Sequence, residues 1–205
     1  MSAVVNATLL AEVFITLFVI MDPPGAIPLF LSLTRNLPPR ARGRAAWQAC
    51  TVAFCVIVTF ALFGRQILSY LHISLPALQC AGGLLLLLVA LELLTGKDQE
   101  PAATRDVNVA LVPLGTPLLA GPGAIVATMV FAERVDVAPD LVAVALGVIL
   151  VHVVLWVTLR YSTVILRVIR ESGITLVTRI AGLLLSAIAV QLIADAVRAF
   201  IAGEG

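Results

Sequence analysis

The stretch MDPPGAIPLF, residues 21–30, places an aspartate, three prolines and a glycine inside a long apolar run. It follows LLAEVFITLFVI, which is typical of the first half of a membrane-spanning helix. Proline removes a backbone donor and glycine frees the backbone dihedrals, so together they unwind a helix. Unwound backbone is tolerated deep in a bilayer only where protein buries it or where it lines a watery cavity. The first crossing is therefore predicted to be broken at residues 22–25.

The composition of the chain indicates a membrane protein. Of its 205 residues, 61% are hydrophobic and 12% are charged, more apolar surface than a soluble domain of this size could bury. The net charge of +1 gives no electrostatic reason to expect a nucleic-acid partner. The three cysteines lie in apolar runs and are interpreted as small core residues, and no metal or cofactor is expected.

Apolar runs of about 20 residues, enough to cross a membrane, occur six times. They lie near residues 5–34 (interrupted), 44–64, 76–95, 108–132 (interrupted), 140–160 and 176–200.

Basic residues fall unequally on the two sides of these crossings. One side carries Arg35, Arg40, Arg42, Arg44, Lys97, Arg105, Arg160, Arg167, Arg170 and Arg179. The other carries only Arg65, Arg134 and Arg198. Because cytoplasmic connections are enriched in Lys and Arg, both termini are predicted to lie outside.

Two pairs of segments match at nearly the same spacing. PPGAIP at 23–28 aligns with GPGAIV at 121–126, and GLLLLLVALEL at 83–93 aligns with GLLLSAIAVQL at 182–192. The single transmembrane domain, residues 1–205, is thus predicted to contain two repeats, about 1–97 and 107–205, joined by a cytoplasmic linker at 98–106. Three crossings per repeat require the second to enter from the opposite face, which predicts an all-α fold with a 3+3 inverted repeat.

The second repeat breaks the fourth crossing at GPG, residues 121–123. Each break would expose N–H groups on the half-helix that follows it and carbonyls on the one that precedes it. An inverted repeat brings both gaps to the midplane, where amides and carbonyls suit a small zwitterion. Packing kinks are the alternative interpretation. The predicted substrate site comprises Asp22, Pro23, Pro24, Gly25, Ala26, Thr116, Gly121, Pro122, Gly123, Ala124 and Thr128.

Each of the two ionisable residues predicted near the membrane centre has more than one possible role. Asp22 could cap the half-helix that follows, pair with a substrate ammonium or accept a proton, and capping is favoured because Ala120 stands at the matching position. His152 could relay protons or could be a neutral imidazole bonded to a nearby carbonyl.

Four motifs resemble signatures of the MarC family of six-span membrane proteins, which includes the SnatA-type neutral amino acid transporters. They are MDPPGAIPLFLSLT, ISLPALQCAGGLLLLLVALELL, VPLGTPLLAGPGAIVATM and RIAGLLLSAIAVQLI, and they cover nearly the whole chain in the expected order. The resemblance implies a bacterial inner-membrane protein that moves small neutral amino acids such as glycine and alanine, with proton coupling open. Some relatives were named for antibiotic resistance.

By motif matching, the family's Asp-Pro-x-Gly turn falls on Asp22, Pro23 and Gly25. Its Ala-Gly-Pro turn falls on residues 120–122. Many relatives carry Asn after the first glycine, where this chain has Ala26, and this difference bears on selectivity.

The leading hypothesis is a secondary transporter of small neutral amino acids that works by alternating access. An exporter of drugs or other small metabolites is the alternative, although only 6% of residues are aromatic. The chain has no Gly-x-Ser-x-Gly or His-Glu-x-x-His motif, so an enzyme is not expected. The expected partners are a small zwitterionic substrate and the lipid bilayer, and a homo-oligomer is considered.

Overall fold

The computed structural model describes residues 5–95, 119–135 and 137–203, and every regular element in these ranges is an α-helix. The predicted all-α fold is confirmed. The helices are α1 (Ala7–Met21), α2 (Ala26–Leu33), α3 (Pro39–Leu71), α4 (Leu75–Thr95), α5 (Pro122–Glu133), α6 (Ala138–Arg160) and α7 (Ser162–Ile201). The predicted linker at 98–106, residue Thr116 and most of the first half of the fourth crossing lie outside the described residues.

Four helices, α3, α4, α6 and α7, are long and apolar enough to cross a membrane. The bent pair α1 and α2 adds a fifth span if the two halves are counted together. Helix α5 has 12 residues, too few to cross a bilayer alone, since a span needs about 20. The described residues thus provide four or five candidate spans of the six predicted.

Two helices extend well beyond the apolar runs predicted from hydropathy. α3 starts at Pro39, a position that suits proline because the first helical N–H has no partner anyway, and it ends before the left-handed residue His72 (φ 54°). α7 starts at Ser162 and kinks at Arg170, whose φ is 62°. The apolar runs near 44–64 and 176–200 lie inside these longer helices, because hydropathy detects apolar runs and misses the Arg-bearing turns before them.

α4 and α7 pack antiparallel through two glycines at equivalent positions of the two matched segments. A Cβ atom at Gly83 would lie 2.8 Å from the Ala189 carbonyl oxygen, and one at Gly182 would lie 3.3 Å from the Ala90 carbonyl oxygen. In the alignment of the sequence, Gly83 matches Gly182 and Ala90 matches Ala189. The two contacts are therefore reciprocal, as in an interface with two-fold symmetry.

The three arginines predicted to lie outside each form an ion pair, and these are the salt bridges present within the described ranges. Their partners are Glu133 for Arg65, Glu12 for Arg134 at 2.8 Å and Asp195 for Arg198 at 3.5 Å. The start of α1 lies at the start of α6, because the Asn6 amide donates to Asp140 at 2.9 Å.

We predict that Gly83→Leu and Gly182→Leu each destabilise the protein to a similar degree. A leucine at either position would force the α4 and α7 backbones apart, and overpacking of this kind costs about 1–3 kcal/mol. Thermal unfolding of the detergent-purified variants measures the effect. Ala81→Leu, at an exposed position two residues before Gly83 on α4, serves as the control and should leave the midpoint unchanged. A loss confined to one glycine would contradict the reciprocal packing.

Candidate functional site

The first helix break occupies the four residues between α1 and α2, as predicted. Asp22 adopts the left-handed conformation, with φ 38° and ψ 65°, and its N–H donates to the Phe18 carbonyl oxygen at 3.1 Å. The Asp22 carbonyl oxygen accepts from the Ala26 N–H at 3.0 Å, so one tight turn joins the helices. The turn bends the chain by 49°.

The prolines of this turn leave carbonyl groups unpaired at the end of α1. Pro23 and Pro24 have no N–H, so they cannot donate to the carbonyls of Val19 and Ile20, the acceptors four residues earlier. Neither carbonyl accepts a backbone hydrogen bond from the part of the chain that the structure describes. The end of α1 therefore presents partial negative charge, as predicted for the first half-helix.

The Asp22 side chain is buried inside the break. Asp22 is 8% exposed, and its carboxylate lies beside the Gly25 N–H and the Thr178 hydroxyl of α7. A Cβ atom at Gly25 would lie 2.8 Å from Asp22 Cγ and 3.0 Å from Thr178 Oγ1. Among the described residues, neither the carboxylate oxygens nor the Thr178 hydroxyl makes a hydrogen bond of ordinary geometry. Because the carboxylate faces the N–H of Gly25, the residue that precedes α2, the capping role stays a prediction.

The second break ends at α5, where Gly121 is the N-cap residue in an extended conformation. The Gly121 carbonyl oxygen accepts from the N–H groups of Ala124 at 3.0 Å and Ile125 at 3.2 Å. The Thr128 hydroxyl donates to the Ala124 carbonyl oxygen at 2.7 Å, within its own helix. The Thr128 hydroxyl thus bonds to the backbone of its own helix, which is the alternative to a contact with substrate.

Gly123 lies directly against Leu86 of α4. A Cβ atom at Gly123 would lie 2.7 Å from Leu86 Cγ, and Leu86 is 2% exposed. Only glycine lets α5 start at this distance from α4. The second break is therefore closely packed by an apolar side chain, in contrast to the carboxylate of the first break.

The expected unpaired amides at Ala26 and Ala124 are not found, because both N–H groups bond within their turns. The amides of Gly25 and Gly123, one residue earlier, donate to no backbone carbonyl in the described ranges. The expectation was wrong because each turn is tight, so the Ala26 and Ala124 N–H groups donate to carbonyls of their own turns. Each break retains one glycine N–H for other partners.

Both breaks belong to one buried cluster. Met21 and Ala26 flank the first break, Ala120 and Ala124 flank the second, and all four lie in the same hydrophobic cluster with Phe30. Residues that flank the first break and residues at the start of α5 therefore share one hydrophobic core.

A cleft of about 160 Å³ opens between α1, α5 and α7. Its lining residues are Glu12, Thr16, Ala127, Val130, Phe131, Arg134, Ile188, Gln191, Leu192 and Asp195. Thr16 precedes Asp22 by six residues on α1, about 9 Å at 1.5 Å per residue, and Ala127 follows Gly123 by one turn of α5. The cleft thus leads from the ion-paired end of the molecule toward the breaks.

His152 lies in α6, outside this cleft. Its Nδ1 atom is 2.8 Å from the Val148 carbonyl oxygen, and its ring stacks edge-on against Phe54 at 5.2 Å between centroids. The Nε2 atom has no hydrogen-bond partner among the described residues. This geometry agrees with a neutral imidazole bonded to a carbonyl, and the proton relay stays a prediction.

Sequence reasoning missed Thr178 and Leu86, the two residues that contact the breaks from α7 and α4. Both are ordinary residues of apolar helices, and no local pattern marks them. Thr116 lies outside the described residues, as does the side chain of Pro122. Within the described ranges, no cluster of three His, Cys, Asp or Glu side chains could hold a metal ion.

The apolar helices, the buried breaks and the lipid-exposed surface define an integral membrane protein. The chain belongs to the MarC family of integral membrane proteins, whose signature matches residues 7–201. It is 39% identical to a UPF0056 membrane protein of Methanocaldococcus jannaschii over 90% of this chain and 94% of the relative. It is 34% identical to one of Aquifex aeolicus (93% and 92%) and 32% identical to YhcE of Escherichia coli (93% and 92%). No solved structure matches the chain.

We predict that Gly123 and Leu86 are energetically coupled. Gly123→Ala should destabilise the protein because its new methyl meets Leu86, and Leu86→Ala should relieve that contact in the double variant. The coupling energy from thermal unfolding should reach about 0.5–3 kcal/mol, as for residues in contact. Leu84→Ala, which truncates an exposed leucine of α4, is the matched control and should be additive with Gly123→Ala. Additivity in both pairs would show that the contact carries no energy.

Proposed function

We propose that this protein is a secondary transporter of small neutral amino acids, similar to glycine and alanine, in the bacterial inner membrane. One observation carries the proposal: residues beside the broken helix pair α1 and α2 and residues at the start of α5 belong to one buried hydrophobic cluster, and the break holds a buried carboxylate without an ordinary hydrogen bond from any described residue. A buried ionisable group without a partner is costly, and such groups mark substrate or ion pathways in membrane proteins. Broken helices at the midplane are the sites where many secondary transporters bind substrate.

The proposed architecture is six crossings in a 3+3 inverted repeat, with helices 1 and 4 broken. Three structural positions support it at nearly one spacing. α3 and α6 start 99 residues apart, at Pro39 and Ala138. The left-handed residues His72 and Arg170 are 98 residues apart, and the reciprocal glycines of α4 and α7 are 99 apart. In this architecture α5 would be the second half of helix 4.

The proposed recognition follows from the charges at the breaks. The substrate ammonium would bind the Asp22 carboxylate and the free carbonyls at the end of α1, where the partial charge is negative. The substrate carboxylate would accept from the Gly123 amide at the start of α5, where the partial charge is positive. Thr178 would orient the Asp22 carboxylate through its hydroxyl.

Alternating access would follow from rocking of the two repeats about the breaks. The cleft between α1, α5 and α7 would be the approach from the outside, where both termini are predicted to lie. The Glu12–Arg134 ion pair would hold α1 to the end of α5 at the wall of this cleft. At about 160 Å³ the cleft is small beside pockets of about 300–1,000 Å³ for drug-sized ligands, which favours amino acids over drugs. The chain is proposed to act without chemistry on its substrate.

We predict that the purified protein moves labelled glycine and alanine into proteoliposomes. Their uptake should exceed that of leucine by at least about tenfold, because a pocket that fits a methyl group excludes a longer side chain. Serine is the intermediate test, and each substrate is measured with and without a proton gradient. Empty liposomes and the Gly25→Leu variant, checked for folding, serve as controls. Movement of none of the four amino acids would overturn the proposal.

We predict that Asp22→Asn lowers transport by roughly a hundredfold at equal membrane abundance. Removing one charge of a buried charge pair costs about 3–5 kcal/mol, whereas exchange of one helix cap for another costs a few tenths to about one. Asp140→Asn, which removes an exposed negative charge hydrogen-bonded to Asn6, is the matched control and should transport normally. Substantial activity of Asp22→Asn would show that the carboxylate has only a structural role.

A further inference from the structure

A second cavity, of about 440 Å³, lies at the end of the molecule opposite the ion pairs. Its lining residues are Arg40, Gly43, Arg44, Trp47, Gln48 and Arg160. Five of these six share one face of α3, since they recur at three- and four-residue spacing from the helix start. The sixth, Arg160, ends α6, which runs antiparallel to α3.

Arg160 is held against the α3 backbone by a glycine. A Cβ atom at Gly43 would lie 3.3 Å from Arg160 Nε, which is tighter than most contacts of a real Cβ atom. The absence of a side chain at Gly43 therefore lets the Arg160 guanidinium lie against the α3 backbone. One turn further along, Trp47 packs edge-on against Trp156 of α6 at 5.9 Å between centroids. The cavity is therefore a formed groove between two helices, with arginines at its upper edge and tryptophans below.

The positive charge of this groove is uncompensated within the part of the chain that the structure describes. None of Arg40, Arg44 and Arg160 forms a salt bridge there, and no acidic residue lines the cavity. The N-terminus of α3 adds partial positive charge, because no described side chain caps it. At the other end of the molecule, Arg65, Arg134 and Arg198 all have carboxylate partners.

We propose that this groove binds the headgroup of an anionic phospholipid. The phosphate would lie between Arg44 and Arg160, whose planar guanidinium groups suit phosphate oxygens. Basic pockets between transmembrane helices on the cytoplasmic side recognise such headgroups.

The apolar surroundings favour a lipid over a soluble phosphate. Trp47 is 60% exposed and Tyr161, beside Arg160, is 53% exposed, and aromatic side chains of this kind sit at the membrane interface. Below them the exposed side chains of Val157 and Val153 continue along α6. An acyl chain could follow this stripe while its phosphate remains at the arginines.

Intrinsic fluorescence tests the proposal directly, because both tryptophans of the chain flank the groove. The protein is reconstituted in phosphatidylcholine and titrated with brominated phosphatidylglycerol or with brominated phosphatidylcholine, and quenching gives their relative affinities. Wild-type protein should prefer the anionic lipid by roughly thirtyfold, from about 1 kcal/mol for each of Arg44 and Arg160. The preference should fall to about twofold or less in Arg44→Gln/Arg160→Gln, and by an intermediate amount in Arg44→Gln alone.

Arg35→Gln/Arg167→Gln is the matched control. It also removes two exposed arginines that form no ion pair within the described ranges, but neither lines the groove. The control should keep the wild-type preference. Equal preference for both lipids in the wild type, an unchanged preference in Arg44→Gln/Arg160→Gln, or an equal loss in the control would overturn the site. Displacement of the brominated lipid by inorganic phosphate at constant ionic strength would overturn its assignment to a lipid.

Discussion

The structure depends on one constraint, that unpaired backbone groups cannot face lipid. Because the two prolines of the first break have no N–H, the carbonyls at the end of α1 have no backbone hydrogen-bond donor among the described residues. A polar group left unpaired in an apolar medium costs several kcal/mol. Such a break is tolerated only inside a shell of protein, which α5 and α7 provide here. The buried cluster that contains both breaks is the result of this requirement. Close helix packing around the breaks is therefore a condition of the broken fold.

Small residues make that packing available. Lipid tails are as apolar as leucine, so helices associate in a bilayer by close van der Waals contact. Gly83 and Gly182 bring the α4 and α7 backbones to each other's carbonyls, and Gly123 brings α5 onto Leu86. These contacts fix α4 between the second break and α7, which itself carries Thr178 to the first break. The two breaks are thus linked through a pair of tightly packed helices.

The features that sequence could predict are those with a local cause. The α-helical class and the break between α1 and α2 follow from hydropathy and from proline and glycine chemistry. The start of α3 at Pro39 could not be predicted from hydropathy, because the polar first turns of this helix lie outside the apolar run. The bonded state of the Ala26 and Ala124 amides depends on exact turn dihedrals. Thr178 reaches the first break only through the packing of a helix more than 150 residues away in sequence.

The two breaks are alike in sequence and different in chemistry. The first surrounds Asp22, whereas the matching position in the second is Ala120, and the Cα of Gly123 there packs against Leu86. On the proposed transport function, this asymmetry gives the substrate an orientation. Its ammonium faces the carboxylate of the first break, and its side chain faces the apolar wall of the second. Because Leu86 already occupies the space where a Cβ of residue 123 would stand, the wall of the second break is apolar and tightly packed.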